Sequence, residues 1–290
     1  MHNISYKKIL SCSKIEYRKW ITNPRMILLV LLMAFIYNFA VEPLLQNAER
    51  MEEKLNLLEP FIAIINSPIT LLFIPLVFLS LIADYPVTDG NAILYIHRIG
   101  RINWLIAQLG LLFLMTITYL TIVFVSSCIS VLFHSRVSSE WSVVVTEFER
   151  TFPDLPGNFG VQLLPKNLYN QLSLTDALMQ SIFLVFTYLF IIGLLLLMFT
   201  LIKKKILGFV ICGGIISIGS ALCIFSSKLM WVFPAANAIT WVHYTEYYRK
   251  PIMPMWFSVL YLCFFIILLI VLSFIAVRKM NYDNISEVTA

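Results

Sequence analysis

Charged residues are scarce in this sequence. Asp, Glu, Lys and Arg make up 13% of the 290 residues, whereas soluble domains carry roughly 25%. Hydrophobic residues make up 60%, and a soluble fold of this length could not bury so much apolar surface. Six apolar runs approach the roughly 20 residues that a helix needs to cross a bilayer core. The composition therefore predicts an integral membrane protein.

Motifs for enzymatic chemistry are lacking as well. Neither a GxxxxGK[ST] phosphate-binding loop nor an HExxH zinc motif occurs, and the four histidines are scattered along the chain. No pair of the five cysteines has metal-ligand spacing, and most of them fall inside apolar runs, where Cys usually acts as a small hydrophobe. We therefore expect no enzymatic activity, no cofactor, no metal ion and no disulfide.

The middles of the apolar runs contain no ionisable residue. Proton- or sodium-driven carriers usually keep such groups near the membrane midplane, where a charge is costly and therefore functional. A carrier that coordinates ions through backbone carbonyls remains open. The absence favours a protein that is powered from elsewhere.

The predicted spans cover residues 26–45, 61–83, 103–133, 177–202, 206–227 and 255–277. Pro68 and Pro75 predict kinks in the second span, and Asn103 is the predicted N-cap of the third. With the N-terminus inside, 13 of the 21 Lys and Arg residues lie on the inner side. This distribution predicts a multi-pass protein of the cell membrane with both termini in the cytoplasm. Because the basic residues lie at helix ends rather than in one patch, we expect no nucleic-acid binding.

The first 25 residues are basic, with Tyr6, Leu10, Tyr17 and Ile21 at helical spacing. This pattern predicts an amphipathic helix that lies in the headgroup plane of the membrane. Asn23-Pro24 then breaks the helix and turns the chain into the first span.

Two connections differ from short loops. Residues 134–176 form a polar insertion, predicted to be extracellular, whose prolines and glycines indicate irregular structure with one short helix near 141–150. Residues 228–254 are rich in Trp, Tyr and Pro. That composition is typical of a membrane interface or of a re-entrant segment, here after the fifth span.

Small residues repeat every fourth position in the fifth span, at Gly213, Ser217 and Ala221. Such a face lets membrane helices approach closely, which makes it a candidate packing face. Simple lipid-facing filler is an equally open interpretation.

A polar stretch at residues 84–104 separates two long apolar runs and must lie at a membrane surface. We call it the polar island. Asp89-Gly90 predicts a turn, and residues 91–99 predict a short helix ended by Gly100. Three isoleucines would share one side of that helix, and two arginines lie near its end: Ile93, Ile96, Ile99, Arg98 and Arg101. An ordinary cytoplasmic loop, anchored by its arginines, is the alternative interpretation.

The chain resembles the ABC-2-type permease family, the membrane subunits of ABC exporters. The resemblance lies in the six spans, the N-terminal amphipathic helix, the NPR sequence at 23–25 and the aromatic stretch after the fifth span. In that family a coupling helix between the second and third spans docks on the ATPase subunit, and here DYPVTDGNAILYIHRIGRINWLIAQ takes that place. The resemblance assigns ATPase coupling to Tyr85, Asp89, Ile93, Ile96, Arg98, Ile99 and Arg101. The chain departs from the family in its 134–176 insertion and in Asp89-Gly90-Asn91-Ala92, where many members have glycine-threonine.

The resemblance implies a single permease domain over residues 1–290, of the all-α integral membrane class. It would have six transmembrane helices, the interfacial helix 1–25, the cytoplasmic coupling loop 84–104 and the re-entrant segment. It further implies two ATPase subunits that bind ATP, and a second permease subunit that is identical or related. Membrane lipids complete the expected partners.

Cargo is indicated only by the apolar spans, which lack the hydrogen-bonding groups that a hydrophilic molecule would need. We expect export, or extraction from the membrane, of a hydrophobic or amphipathic peptide, with lipid-like cargo second. A function of another class stays open: a membrane sensor or immunity protein that binds an extracellular peptide through residues 134–176 without moving it.

Overall fold

The computed structural model describes residues 6–87, 96–155, 158–247 and 251–279. Five of its helices are long and apolar enough to cross a membrane, which is consistent with a multi-pass membrane protein. They are α2 (Pro24–Met51), α5 (Arg101–Val131), α9 (Leu174–Leu201), α10 (Lys205–Ile224) and α12 (Met255–Lys279). These helices confirm five of the predicted apolar spans.

The predicted second span is a broken pair of helices, α3 (Glu59–Asn66) and α4 (Thr70–Leu81), which meet at 82°. The break contains Pro68, as the sequence predicts. Ser67 has φ −81° and ψ 130°, because a residue before proline is pushed out of the helical region. Pro75 remains inside α4. The count of crossings is therefore five, or six if the pair forms one span.

The centre of the bundle is α9, which packs against α5, α10 and α12. In the apolar 18-residue stretch of α9, 67% is buried inside the bundle, against 17% in that of α12. Both helices are hydrophobic enough to be predicted as spans from the sequence. Only long-range packing determines that α9 lies at the centre and α12 at the rim.

The predicted N-terminal helix is confirmed as α1 (Tyr6–Ile21), and a further side of it, which the sequence did not predict, is buried against the bundle. Its buried residues are Cys12, Ser13, Glu16 and Trp20, which face α5 and the end of α4. Tyr6 and Leu10, from the predicted apolar face, are 78% and 69% exposed. Polar pairing with the rest of the chain decides which side of α1 is buried.

The insertion is more ordered than the sequence predicts. The expected short helix is α6 (Val143–Thr151), and two further helices follow it, α7 (Phe159–Leu163) and α8 (Lys166–Tyr169). Strand β1 (Leu55–Asn56) pairs in parallel with β2 (Ser135–Arg136), a two-residue ladder that lies outside the all-α prediction. Long-range contacts order the insertion, although its own composition is that of a loop.

The stretch between α10 and α12 folds back onto the bundle. It contains the 3₁₀ turns Lys228–Val232 and Trp241–His243 and the short helix α11 (Pro234–Ala238). Ala235, Asn237 and Thr240 have no exposed surface. We call residues 228–243 the folded-back segment.

Candidate functional site

The polar island is fixed to the bundle through Tyr85. This residue is 3% exposed, and its hydroxyl donates a hydrogen bond to the main-chain carbonyl oxygen of Gln108 at 2.9 Å. The side-chain amide nitrogen of the same Gln108 donates to the Glu16 carboxylate at 2.7 Å. Burial, together with the nearby Glu16, raises the pKa of Tyr85 well above its usual value, so the phenol stays protonated as a donor. The island, α1 and α5 are therefore joined by one buried polar chain.

A second connection passes through Asp84. Its carboxylate lies 2.7 Å from the Arg25 guanidinium, at the start of α2, and 3.8 Å from the Lys205 ammonium, at the start of α10. The three side chains are 28–54% exposed, and exposed ion pairs contribute only about 0–1 kcal/mol each. They can therefore re-pair at little cost if the helix ends move.

The prediction that Ile96 and Ile99 insert into a partner protein is wrong for this structure. Residues 96–99 form a helical turn, and these two side chains are 4% and 7% exposed within the chain's own core. His97 and Arg98 are the exposed residues of the turn. Helical spacing identified the apolar side of the turn correctly, but that side packs onto this chain. Asp89 and Ile93 lie outside the described residues.

Gly100 ends the turn as predicted, with a φ of 88° that favours glycine. The predicted N-cap at Asn103 is wrong, because α5 already begins at Arg101 and the Asn103 amide donates to the Ile99 carbonyl. Arg101 Nη1 donates to the Arg278 carbonyl oxygen at 3.0 Å, at the end of α12. Arg101 thus caps a helix of its own chain.

Replacing Ile96 with aspartate should destabilise the fold of this chain and not only weaken a contact with a partner protein. A carboxylate at a site with 4% exposure has to lose its hydration, which costs on the order of 3 kcal/mol or more. We expect a lower yield of monodisperse protein and an earlier midpoint of chemical unfolding in mixed micelles. Arg98→Asp at the exposed neighbouring position is the control and should fold normally. Equal yields for the two variants would contradict the burial of Ile96.

A second polar cluster lies inside the bundle, where the folded-back segment meets the break between α3 and α4. The Asn66 amide donates to Ser181 Oγ of α9 at 2.7 Å, and its oxygen accepts from the Thr240 backbone N–H at 2.8 Å. His243 Nε2 lies 2.7 Å from Ser258 Oγ of α12. Each of these side chains is fully buried. The cluster ties four separate parts of the chain together, and the sequence analysis did not single it out.

The small-residue face of α10 is not a packing face within this chain. A Cβ built at Gly213 would meet nothing within 4 Å, and Ser217 is exposed. Close approach occurs instead at Gly208, where an added Cβ would lie 2.4 Å from Phe199 Cβ, and at Gly219, 3.0 Å from Ala235 Cβ. The described part of the bundle therefore does not pack closely on the face that includes Gly213, Ser217 and Ala221.

Among the described residues, no group of three or more His, Cys, Asp or Glu side chains could hold a metal ion, and all five cysteines are free.

No family model matches the chain, and no curated protein or solved structure matches it closely enough to count as a relative.

Proposed function

We propose that this chain is the membrane-spanning permease subunit of an ATP-driven exporter. The observation that supports this most is the set of contacts between the polar island and the helix ends. Asp84 pairs with α2 and α10, Tyr85 bonds to α5, and Arg101 bonds to the end of α12. The island therefore contacts four long helices. The buried Tyr85 bond joins it firmly to α5, while the exposed ion pairs of Asp84 let the ends of α2 and α10 move relative to it.

In this proposal a separate ATPase subunit binds and hydrolyses ATP and docks on the island. The exposed His97 and Arg98 replace the buried isoleucines as the contact residues. Two ATPases and a second permease subunit, identical or related, complete the complex. The bent pair α3–α4 forms the second of six crossings, the folded-back segment is re-entrant, and both termini face the cytoplasm of a cell-membrane protein.

Cargo of hydrophobic or amphipathic character, a peptide first and a lipid-like molecule second, suits the bundle. The hydroxyls of α5 that a hydrophilic cargo would need already donate to carbonyls of their own helix. Thr116 bonds to Leu112 and Thr118 to Leu114, both at 2.8 Å, and Ser127 bonds to Phe124 at 2.8 Å. These hydroxyls can still accept a hydrogen bond, but they have no proton left for the acceptor groups of a polar cargo, and each unpaired acceptor would cost several kcal/mol.

Affinity purification in mild detergent tests the proposal. The tagged chain should bring down an ATPase, and Arg98→Glu should weaken that association by about 30-fold, as expected for a charged anchor worth roughly 2 kcal/mol. Arg18→Glu changes another exposed cation, on α1 and outside the island, and should retain the ATPase. Vesicles that contain the complex should then move a labelled amphipathic peptide outward when ATP is added. A chain that purifies without any ATPase would overturn the assignment.

The sensor or immunity function is the second candidate, and the same purification separates it, since a sensor needs no ATPase. Its candidate surface, the insertion, carries the exposed acids Glu140, Asp154 and Asp176. Deleting the insertion is not a clean test, because Val144 and Phe148 are buried in the fold. Charge reversal at Asp154 should weaken binding of a cationic peptide if this function holds.

A further inference from the structure

A surface cavity of about 500 Å³, which is wide open to the outside, lies between α1 and the helical turn 96–99. Ligand pockets in proteins usually measure about 300–1,000 Å³, so the space is large enough for a small polar group. Three cations and three apolar or weakly polar side chains form most of its wall: Lys7, Lys8, Arg98, Cys12, Ile15 and Ile99. None of the described residues that line it is acidic.

The chemistry of the wall favours an anion. Ammonium and guanidinium groups make short, charge-assisted hydrogen bonds to phosphate oxygens. Cys12 adds no negative charge, because burial and the adjacent Glu16 raise the pKa of its thiol to about 12. Ile99 and Cys12 are buried and give the cavity an apolar floor, which suits a ligand with both a phosphate and a hydrocarbon part.

The position of the cavity indicates that this ligand comes from the membrane. Tyr6, Leu10 and Ile21 form an exposed apolar stripe along α1, the kind of face that an interfacial helix buries at the level of the lipid headgroups. Lys7 follows Tyr6 directly and lies about 100° further around the helix, between the stripe and the cavity. The cavity therefore opens beside the level where headgroups lie.

We propose that this cavity binds the headgroup phosphate of an anionic phospholipid from the adjacent leaflet. Lys7 and Lys8 hold the phosphate oxygens, and Ile15 and Ile99 contact the apolar part of the headgroup region. Such a lipid would bridge α1 and the polar island. The inference does not rest on the exporter function. The residues that the test changes, Lys7 and Lys8, lie on α1, so the substitutions leave the polar island intact.

The test uses the full chain in nanodiscs of phosphatidylcholine with a minority of phosphatidylglycerol. Retained phosphatidylglycerol is measured by mass spectrometry after repurification. The double change Lys7→Gln and Lys8→Gln should reduce retention at least tenfold, because each charge-assisted hydrogen bond to a phosphate oxygen in the cavity contributes about a factor of ten. The matched control, Lys14→Gln with Arg18→Gln, removes two exposed cations of the same helix outside the cavity and should change retention less than threefold.

Each other outcome overturns the proposal. Equal losses in both double variants would show general attraction to a basic helix, and no loss in either would show that the cavity binds no lipid. Displacement of the lipid by inorganic phosphate at equal concentration would identify a free-anion site. Unchanged lipid with loss of the co-purifying ATPase in the Lys7/Lys8 variant would make the cavity a protein-docking site. Size-exclusion profiles check folding, and both lysines are exposed.

Discussion

Replacing Asn66 with leucine is expected to lower the free energy of unfolding by about 3 kcal/mol. Leucine has nearly the same volume but offers no hydrogen bond. The change would orphan the Thr240 backbone N–H, which now donates to Asn66 Oδ1 at 2.8 Å, and would remove the donor to Ser181 Oγ at 2.7 Å. An unsatisfied buried group costs about 1–3 kcal/mol. Chemical unfolding in mixed micelles measures the loss.

Asn38→Leu is the control for this substitution. The Asn38 side chain is exposed and donates only to the Ala34 carbonyl of its own helix, so its loss should change stability by less than about 0.5 kcal/mol. A fall of similar size in both variants would show that leucine itself disturbs the helices. Unchanged stability in the Asn66 variant would show that the cluster does not hold the folded-back segment.

The Asn66 cluster lies at the break between α3 and α4, so a loss of its hydrogen bonds would affect the bend between these helices. Asn66 is the last residue of α3, directly before the break, and its backbone carbonyl also accepts from Trp241 Nε1 at 2.9 Å. The folded-back segment therefore holds the break in its bent form. If α4 moves when the polar island is displaced, this bend is the fixed point about which it moves.

The sequence predicted the features that depend on local composition. Five spanning helices, the helix α1, the break at Pro68 and the stop at Gly100 follow from apolar runs, from proline and from glycine. Each is determined by a few neighbouring residues. The prediction of irregular structure for the insertion was wrong, because contacts with distant segments, such as the β1–β2 pair, order the insertion.

Partners distant in sequence could not be predicted from one chain. Ser13 of α1 donates to the Ala107 carbonyl, 94 positions away, and Thr240 donates to Asn66 across 174 positions. The polar pair Asn66-Ser67 within an apolar run was a visible signal, since polar groups inside membrane spans usually have a specific partner. Helical spacing likewise showed that Ile96 and Ile99 share a side, but not whether this chain or another covers it.

Replacing Glu59 with alanine should have an effect of similar size at the other end of the bundle. Glu59 has no exposed surface, and its carboxylate accepts three hydrogen bonds: from the Asn56 N–H at 2.9 Å, the Ser142 N–H at 2.6 Å and the Ser142 hydroxyl at 2.8 Å. Alanine would leave these donors unsatisfied. We expect a loss of about 3 kcal/mol, partly offset because a buried charge is removed as well.

The loss should be local, because Ser142 is the N-cap of α6 and Asn56 belongs to β1. Hydrogen exchange should accelerate at residues 55–57 and 142–148 in Glu59→Ala, while α9 keeps its protection. Glu140→Ala removes an exposed carboxylate two residues before Ser142 and should leave both regions unchanged. Faster exchange throughout the bundle would show that Glu59 supports the whole fold. Unchanged exchange would mean that the insertion is ordered without it.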